Sequence, residues 1–458
     1  MNPHTNARPD TLGKVHFIGI GGVGMSAVAR IMVARGVPVS GSDAKDLPVM
    51  ADLAAAGARI AVGYAAENLG DAQTVVAGSA IREDNPELAA AKQAGLPVLH
   101  RSEALAATMG DDAVVTVAGT HGKSTTTSMI TVLLRAAGLD PSFAVGANIP
   151  ALGVNAAHGT SGIFVAEADE SDGSFLNYRP RIAVVTNVEP DHLDYYGTAE
   201  AVYESFDRFT ALLPAYGLLV ACADDAGALA LAERTRHRGA TRVVLYGTNE
   251  AADVRLLDDG PGQAAVATSA GQWALALQVP GRHNALNAAA AFAVALELGV
   301  EPAAAAAGLA SFSGASRRFE LKGTARGVRV FDDYAHHPTE VRAALAAARS
   351  VAGDHKVHVL FQPHLFSRTR EFAAQFADAL NLADTALVLD IYPAREDPIP
   401  GVTSQLIADH LTGGGRLVAA ADAVATLAAA AGDGDVVLTV GAGDVTAYGP
   451  RIVEALDA

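Results

Sequence analysis

A short glycine-rich loop carries the residues best suited to phosphate chemistry. It reads Gly119-Thr-His-Gly-Lys-Ser124 and lies between an apolar strand pattern and a helix pattern. The full phosphate-loop pattern G-x-x-x-x-G-K-[ST] would need glycine at position 117, where the chain has valine. Lys123 can still reach the β- and γ-phosphates of a nucleotide, and the hydroxyl of Ser124 or Thr125 can ligate Mg²⁺. The alternative is a glycine turn with a solvated lysine, which would be poor design at a helix N-terminus.

Two acidic segments follow later strand patterns. Glu167-Ala-Asp-Glu-Ser-Asp172 places four carboxylates within six residues. Like charges at this spacing repel one another unless a cation lies among them, so the segment indicates a Mg²⁺ site. A solvated acidic loop is the alternative. Asn187-Val-Glu-Pro-Asp-His-Leu-Asp194 places His192 among acidic residues, where it is either a metal ligand or a structural histidine.

A second glycine motif, Gly19-Ile-Gly-Gly-Val-Gly24, satisfies G-x-G-x-x-G between a strand and a helix pattern. Glycines there let the backbone approach a diphosphate, and the helix N-terminus supplies N–H donors. Asp43 ends the next strand pattern, where an acidic residue often binds a ribose. The motif is typical of dinucleotide sites but also of other nucleotide sites and of tight turns, and Asp43 can be an ordinary turn residue.

Three further motifs lie in the second half of the chain. Gly281-Arg-His-Asn284 with Asn287 opens a helix, where the asparagines can bind a base or ribose or where Asn284 can cap the helix. Asp332-Asp-Tyr-Ala-His-His-Pro338 closes a strand pattern. Phe361–Arg370 contains two arginines, which suit a substrate carboxylate, with surface ion pairing as the alternative.

The elements around these motifs predict an α/β protein. Strand patterns at Val15–Ile20, Val114–Ala118 and Val328–Asp332 each run into one of these motifs and then a helix pattern. Strands that alternate with helices form parallel, doubly wound sheets. The stretch from Glu250 to Gly281 predicts a small antiparallel excursion, and Asn284–Leu298 predicts a buried helix.

Length and composition limit the class of protein. A chain of 458 residues is too long for one core, and domain boundaries are expected near Gly110 and Lys322. The formal charge of −17 provides no basic field for nucleic acid or an anionic membrane. The single cysteine, Cys222, the polar first residues Met1–Leu12 and the lack of an apolar run of ~18 residues predict a cytoplasmic protein with no membrane insertion.

Together these motifs resemble those of the Mur ligase family, in order and in spacing, from about Val15 to Tyr448. The resemblance implies a UDP-sugar-binding domain at 1–109, a central ATP-binding domain at 110–322 and an amino-acid-binding domain at 323–458. The first and third would be Rossmann-like, and the second would contain a parallel sheet of the phosphate-loop ATPase type. The segments that carry the resemblance are Gly19–Gly24, Gly119–Ser124, Glu167–Asp172, Asp191-His192, Arg282–Asn287, Asp332–Pro338 and Phe361–Arg370.

The resemblance implies an ATP-dependent ligase. Glu167–Asp172, Asp333–Pro338 and Pro393–Pro400 are most similar to family members that add L-alanine to UDP-N-acetylmuramate in peptidoglycan precursor synthesis. The implied substrates are UDP-N-acetylmuramate, L-alanine and ATP, with two Mg²⁺ ions as cofactors, and the implied assembly is a monomer or homodimer. The lactyl carboxylate would attack the γ-phosphate of ATP, and the alanine amine would attack the resulting acyl phosphate.

The resemblance also implies residue roles. The sugar nucleotide is assigned to Gly21, Gly22, Val23, Gly24, Asp43, Ser79 and His121. ATP is assigned to Gly119, Thr120, His121, Gly122, Lys123, Ser124, Thr125, Asn284, Asn287 (near adenine), Arg318 and Asp333 (near the ribose). The catalytic set is Lys123, Glu170, His192, His337 and Arg368, in which Ser124 and Glu170 hold one Mg²⁺ and His192 the other. His337 and Arg368 would lie near the substrate carboxylate or the amino acid.

The chain departs from the family pattern at two positions. Leu365 stands where relatives often have arginine, so the amino-acid contacts around it are open. Ser124 replaces a common threonine and keeps the hydroxyl. Three other functions are compatible with parts of the sequence: a recycling ligase that attaches an intact tripeptide, an NAD-dependent oxidoreductase and a non-catalytic UDP-sugar sensor. The oxidoreductase leaves the Lys123 loop and the acidic segments unexplained.

Overall fold

The computed structural model describes residues 9–78, 80–258, 264–394, 396–413 and 415–458. Ser79, assigned above to the sugar nucleotide, and Arg395 of the Pro393–Pro400 segment lie outside the described residues. Three sheets of five, ten and six strands are flanked by helices. The predicted fold class, α/β with three sheet-based domains, is confirmed.

The first sheet has five parallel strands in the order β3-β2-β1-β4-β5. Its elements are β1 (Val15–Ile18), α1 (Val23–Ala34), β2 (Val39–Asp43), α2 (Pro48–Ala55), β3 (Arg59–Val62), β4 (Thr74–Ala77), α3 (Pro86–Gln93), β5 (Val98–His100) and α4 (Arg101–Met109). Every residue of β1 is buried, as expected for the central strand of a sheet covered on both faces. The strand ends before the predicted Ile20 because Gly19 turns the chain with φ of 81°.

A buried polar network ties this sheet to its surroundings. The carboxylate of Glu87 is fully buried and accepts hydrogen bonds from Ser42 Oγ at 2.5 Å and Asn68 Nδ2 at 2.6 Å. His16 Nε2 lies 3.2 Å from the same carboxylate, and Ala65 N donates to it at 3.1 Å. Burial alone would raise the pKa of Glu87, but these hydrogen bonds lower it below its ordinary value.

The second sheet has ten strands in the order β15-β14-β13-β12-β11-β10-β6-β9-β7-β8. Its elements are β6 (Ala113–Ala118), α5 (Lys123–Ala136), β7 (Ser142–Ile149), β8 (Val154–Ala157), β9 (Ile163–Glu167), β10 (Ile182–Val185), α6 (Leu193–Tyr196), α7 (Ala199–Thr210), β11 (Leu218–Cys222), α8 (Ala226–Arg238), β12 (Arg242–Gly247), β13 (Val254–Asp258), β14 (Ala264–Thr268), β15 (Gly271–Leu275), α9 (Arg282–Glu297) and α10 (Pro302–Leu309). β6 pairs in parallel with both β9 and β10, so the motifs that follow these strands emerge at one edge of the sheet.

The stretch from Glu250 to Gly281, predicted to be a small antiparallel excursion, begins with a parallel pair. Strand β13 pairs in parallel with β12, with Tyr246 opposite Val254, and β14 and β15 continue the same sheet. The alternation around Trp273 appears in β15 as alternating exposed and partly buried residues, the pattern of a strand covered on one face. The predicted buried helix is confirmed as α9, whose alanines are almost all inaccessible.

The third sheet has six strands in the order β16-β17-β21-β18-β19-β20, antiparallel only at β16-β17. Its elements are β16 (Glu320–Ala325), β17 (Val328–Asp333), α11 (Pro338–Ala352), β18 (Val357–Phe361), α12 (Phe366–Leu380), β19 (Thr385–Val388), α13 (Gln405–Ala408), β20 (Arg416–Leu417), α14 (Ala423–Ala430), β21 (Val436–Val440) and α15 (Tyr448–Asp457). Lys322, taken above as a boundary, lies inside β16.

The described chain forms two compact units. The first contains 9–256, 266–273 and 287–312, and the second contains 257–258, 264–265, 274–286 and the described residues of 313–458. The five-stranded sheet and strands β6 to β12 belong to the first unit, and the six-stranded sheet belongs to the second. Among the described residues, no helix combines the length and apolar character that crossing a bilayer requires.

Replacing Glu87 with alanine should destabilise the first unit by about 3 kcal/mol, because it leaves several buried donors without an acceptor. Urea unfolding followed by circular dichroism measures the change. Since the folded-state pKa of Glu87 is lowered, the loss is fully present above the ordinary glutamate value of about 4.3 and shrinks as the pH falls through the lowered pKa. Glu83→Ala, at a carboxylate that is 83% exposed, is the control and should change stability little. Equal effects of the two substitutions would contradict a structural role for the network.

Candidate active site

The glycine motif forms a tight turn between β1 and α1. Gly19 N and Ile20 N both donate to Ser42 O, at 2.8 and 2.9 Å, which fixes the turn to β2. Gly21 N donates to Asp43 Oδ2 at 3.0 Å. A Cβ on Gly21 would lie 2.5 Å from a methyl carbon of Leu47, so a larger residue there would have to displace the Leu47 side chain.

The start of α1 is suited to an anion. The cap residue Gly22 offers no side chain, so the first N–H groups of the helix remain available to a ligand. Val23, the first helical residue, is 60% exposed. The structure therefore brings Gly21, Gly22, Val23 and Gly24 together with Asp43. The Asp43 carboxylate supports the turn through Gly21, which agrees with its alternative interpretation as a structural residue.

Residues that follow β10 form hydrogen bonds that hold the Gly119–Ser124 loop in place. Asn187 works as a clamp: its Oδ1 accepts from His121 N at 2.8 Å, and its Nδ2 donates to His121 O at 3.1 Å. Thr120 Oγ1 accepts from Glu189 N at 2.9 Å. A Cβ on Gly119 would lie 2.1 Å from Thr186 Oγ1, and Gly119 has φ of 135°, so glycine is required.

Lys123 begins α5 and turns its ammonium back into the loop. Its Nζ donates to Gly119 O at 2.7 Å and Thr120 O at 3.1 Å, and it lies 2.9 Å from both oxygens of Glu170. The side chain is only 14% exposed. Burial alone would lower the pKa of Lys123, but the carboxylates of Glu170, Asp169 and Glu167 outweigh it and raise the pKa.

The acidic segment surrounds that ammonium. Glu167 accepts from Ser124 Oγ at 3.0 Å and from Gly146 N at 2.7 Å. Burial raises the pKa of Glu170 to about 7, against the attraction of Lys123. Burial would also raise the pKa of Asp169, but Lys123 and the Ser171 N–H lower it overall. The three carboxylates carry more negative charge than one lysine balances when all are ionised.

His192 belongs to the same cluster. Its Nε2 lies 3.7 Å from Glu170 Oε1 and 3.6 Å from Asp191 Oδ2. Tyr196 OH donates to Glu170 O at 2.5 Å, which couples the His192 segment to the acidic one. Of the predicted metal ligands, Glu170 and His192 are therefore neighbours, whereas Ser124 is hydrogen bonded to Glu167.

This donor set fits Mg²⁺. Hard cations prefer carboxylate and hydroxyl oxygens, which Ser124, Glu167 and Glu170 supply. The Lys123 ammonium already lies where a cation compensates Glu170. The fit rests on both the ligand type and the excess of carboxylates.

The predicted ATP contacts on α9 have different environments. Asn287 lies in the first unit beside the phosphate loop, since a Cβ on Gly122 would be 2.9 Å from Asn287 Oδ1. Asn284 lies in the second unit, where its Nδ2 donates to Pro280 O at 2.7 Å. Because α9 begins at Arg282, Asn284 is inside the helix, and the alternative of a helix cap is wrong.

In the second unit, two aspartates end β17. Asp332 is fully buried and pairs with Arg317 Nε at 3.2 Å, so it is structural. Asp333 accepts from the backbone N–H groups of Phe319 and Ala335, both at 2.8 Å. Burial raises the pKa of Asp333 to about 6, against the charge of Arg318. The Arg318 guanidinium itself lies 5.0 Å over the Tyr334 ring.

His337 and Arg368 open neighbouring helices of the second unit. His337 caps α11, with its Nδ1 accepting from Thr339 N at 3.4 Å, and its ring lies 5.0 Å from that of Phe372. Arg368 is 8% exposed in the first turn of α12. Leu365, which precedes this helix, is buried with an unusual φ of 71°.

Sequence reasoning missed Asn187, Tyr196 and the partnership of Glu167 with Ser124. Asn187 lies in one of the motifs described above, but its contact with His121 depends on the pairing of β6 with β10, which the sequence does not reveal. Glu167 had a usable signal, since it ends β9 opposite Val117 of β6.

The fold and this site are those of a nucleotide-dependent ligase. Models of known protein families identify which family of ligases this is. The Mur ligase family catalytic domain matches residues 14–112, the Mur ligase middle domain matches 117–295, and the Mur ligase glutamate ligase domain matches 317–443. The chain belongs to the Mur ligase family.

Relatives in that family are highly similar over almost the whole chain. The UDP-N-acetylmuramate–L-alanine ligase of Paenarthrobacter aurescens is 79% identical over 98% of this chain and 98% of its own. That of Arthrobacter sp. strain FB24 is 82% identical over 98% of this chain and 96% of its own. The crystal structure of the UDP-N-acetylmuramate-alanine ligase of Thermotoga maritima has 30% identity and a TM-score of 0.78, covering 96% of this chain and 98% of that one.

Replacing Asn187 with alanine should weaken Mg-ATP binding about 10- to 100-fold, because the phosphate loop loses both bonds that fix His121. Isothermal titration with a nonhydrolysable ATP analogue measures it. Asn249→Ala removes an exposed amide of the same type and should leave the affinity unchanged. Wild-type affinity in Asn187→Ala would show that the loop holds its conformation without the clamp.

Proposed function

We propose that this protein joins L-alanine to the lactyl carboxylate of UDP-N-acetylmuramate at the expense of ATP, in the synthesis of peptidoglycan precursors. The observation that carries the proposal is the Lys123 ammonium, buried between the phosphate loop and Glu170. The similarity to alanine-adding ligases, at 79 to 82% identity, supports the choice of amino acid.

The proposal assigns each substrate to a part of the chain. UDP-N-acetylmuramate binds with its diphosphate at the glycine turn, in a domain that corresponds to about 1–109. The triphosphate of ATP binds at the Gly119–Ser124 loop of the central domain. The amino acid is assigned to the C-terminal domain through His337 and Arg368. The roles of Asn284, Asn287, Arg318 and Asp333 toward adenosine are proposed on the family resemblance.

The chemistry is phosphoryl transfer followed by amide formation. The substrate carboxylate attacks the γ-phosphate, ADP leaves, and the neutral amine of alanine attacks the acyl carbon and displaces phosphate. Lys123 shifts from Glu170 to the phosphate oxygens and neutralises their charge, while the N-terminus of α5 orients them. Mg²⁺, for which we propose two ions held by Ser124, Glu167, Glu170 and His192, would neutralise the remaining phosphate charge.

Exclusion of water protects the acyl phosphate, since hydrolysis would waste it. Glu170 and Asp191 are buried, and His192 is 19% exposed, so the site is already largely shielded. We further propose a cytoplasmic enzyme, where ATP is available, that acts as a monomer or homodimer.

The proposal predicts phosphate release from Mg-ATP only when UDP-N-acetylmuramate and L-alanine are both present. Lys123→Ala should lower the rate about 10³-fold, because it removes the main cationic contact to the transferred phosphate. Lys92→Ala, at a half-exposed surface lysine, is the matched control and should keep the wild-type rate. Unchanged binding of UDP-N-acetylmuramate by Lys123→Ala shows that the variant is folded.

Two results would contradict the proposal. Release with the L-alanyl-γ-D-glutamyl-meso-diaminopimelate tripeptide but not with alanine would assign the protein to the recycling ligases, which are represented among the similar structures at 31% identity over 67% of this chain. No release with either amine, despite tight binding of the sugar nucleotide, would leave a binding protein.

A further inference from the structure

Arg101 lies against the glycine turn although it is distant from it in sequence. It is the first residue of α4, directly after β5. A Cβ placed on Gly24 would lie 2.7 Å from Arg101 Nη1 and 2.9 Å from its Cδ. The third glycine of the motif therefore makes room for a guanidinium, and any larger residue at position 24 would displace it.

The Arg101 guanidinium has no protein partner in the part of the chain that the structure describes: neither a hydrogen bond nor an ion pair engages it there. The side chain is half-buried. An arginine has five N–H donors, and leaving them unsatisfied next to protein surface is costly. Arg35, in contrast, is paired with Asp112 at 2.5 Å.

The position of Arg101 is also electrostatically unfavourable without a ligand. Gly24 is in the first turn of α1, the end of the helix that carries the positive partial charge. A cation at this end is repelled by the helix dipole, and the carboxylate of Asp43 at the turn is engaged with Gly21 N. The Arg101 guanidinium and the positive end of α1 thus lie next to each other. An anion with more than one charge would interact favourably with both.

Neighbouring residues hold the backbone at Arg101 in place. Asn177 Nδ2 donates to Ser102 Oγ at 2.8 Å, which ties the start of α4 to the chain that follows the acidic segment. His100 caps α4 in a reciprocal capping box with Glu103. The backbone at Arg101 is therefore held on both sides, which fixes the point from which its side chain extends toward Gly24.

We propose that Arg101 binds the diphosphate of the sugar nucleotide, as a cationic contact that complements the N–H groups at the start of α1. This inference rests on the proposed function, since it needs a sugar nucleotide at the glycine turn. The planar guanidinium fits two phosphate oxygens at once, which gives direction as well as charge. Arg101 is then a specificity residue for diphosphates over uncharged nucleosides.

The test measures the affinity of the intact protein for UDP-N-acetylmuramate, UDP and uridine by isothermal titration or competition. Arg101→Met keeps the aliphatic stem against Gly24 but removes the charge. We expect UDP-N-acetylmuramate and UDP to bind about 30-fold more weakly, with uridine unchanged. Arg101→Lys keeps the charge but loses the planar fork and should recover part of the affinity. Arg59→Met removes a guanidinium elsewhere in the same sheet, at the start of β3, and should bind all three like wild type.

Three outcomes would overturn the proposal. Weaker binding of UDP-N-acetylmuramate with unchanged binding of UDP would move Arg101 to the sugar or its carboxylate. Equal weakening of all three ligands, uridine included, together with a lower melting temperature would make Arg101 a structural residue. Wild-type affinity in Arg101→Met would leave the diphosphate to the backbone alone. If the wild-type protein binds none of the three ligands while it still binds ATP, the proposed function itself fails, which is distinct from every outcome above.

Discussion

The ammonium of Lys123 is buried among Glu167, Asp169 and Glu170, and the conformation of the central site depends on this arrangement of charge. Its hydrogen bonds to Gly119 O and Thr120 O pull the phosphate loop toward the acidic segment. Charges interact strongly where water is excluded, and an unpaired one there is costly. One ammonium does not balance three carboxylates. Burial, with the neighbouring charge of Asp169, raises the pKa of Glu170 to about 7. A triphosphate that draws Lys123 away leaves these carboxylates in need of another cation, so nucleotide and metal are expected to bind together.

The order of strands explains how residues far apart in sequence reach this ammonium. β6 lies between β9 and β10, and all three are parallel, so their carboxyl ends coincide. The phosphate loop follows β6, the acidic segment follows β9, and the Asn187 segment follows β10. In open α/β sheets, ligands bind at the carboxyl ends of strands for this reason. The same logic applies in the first sheet, where the turn after β1 meets Asp43 at the end of β2.

Most of the fold was predictable from the sequence because local patterns specify it. Buried strands and amphipathic or alanine-rich helices gave the α/β class, and glycines gave the two loops. The parallel pairing of β13 was not predictable, since an alternating strand pattern is compatible with either direction.

The candidate site was predictable residue by residue only where a motif is contiguous. Lys123 and Glu170 lie in such motifs, whereas the Asn187 clamp and the seat of Arg101 on Gly24 depend on tertiary contacts. Asp43 illustrates the limit of a motif: its position after β2 is that of a ribose-binding acid, yet in the structure it also supports Gly21. The spacing of a motif predicts where the carboxylate lies, but it does not predict which carboxylate oxygen already accepts a hydrogen bond from the backbone.

A protein with a formal charge of −17 must bind anionic substrates through local features, and the proposed function gives its two loops different ways of doing so. At the phosphate loop, the cation is surrounded by carboxylates, so a bare polyphosphate would meet repulsion that a metal-bound one does not. At the glycine turn, the Asp43 carboxylate accepts from Gly21 N, and the Arg101 guanidinium, without a partner among the described residues, lies against Gly24 in the first turn of the helix. We therefore expect that turn to take a diphosphate without a metal. Under the proposed function, the different distribution of acidic residues around these two helix N-termini is what would direct the metal-bound nucleotide to one loop and the sugar nucleotide to the other.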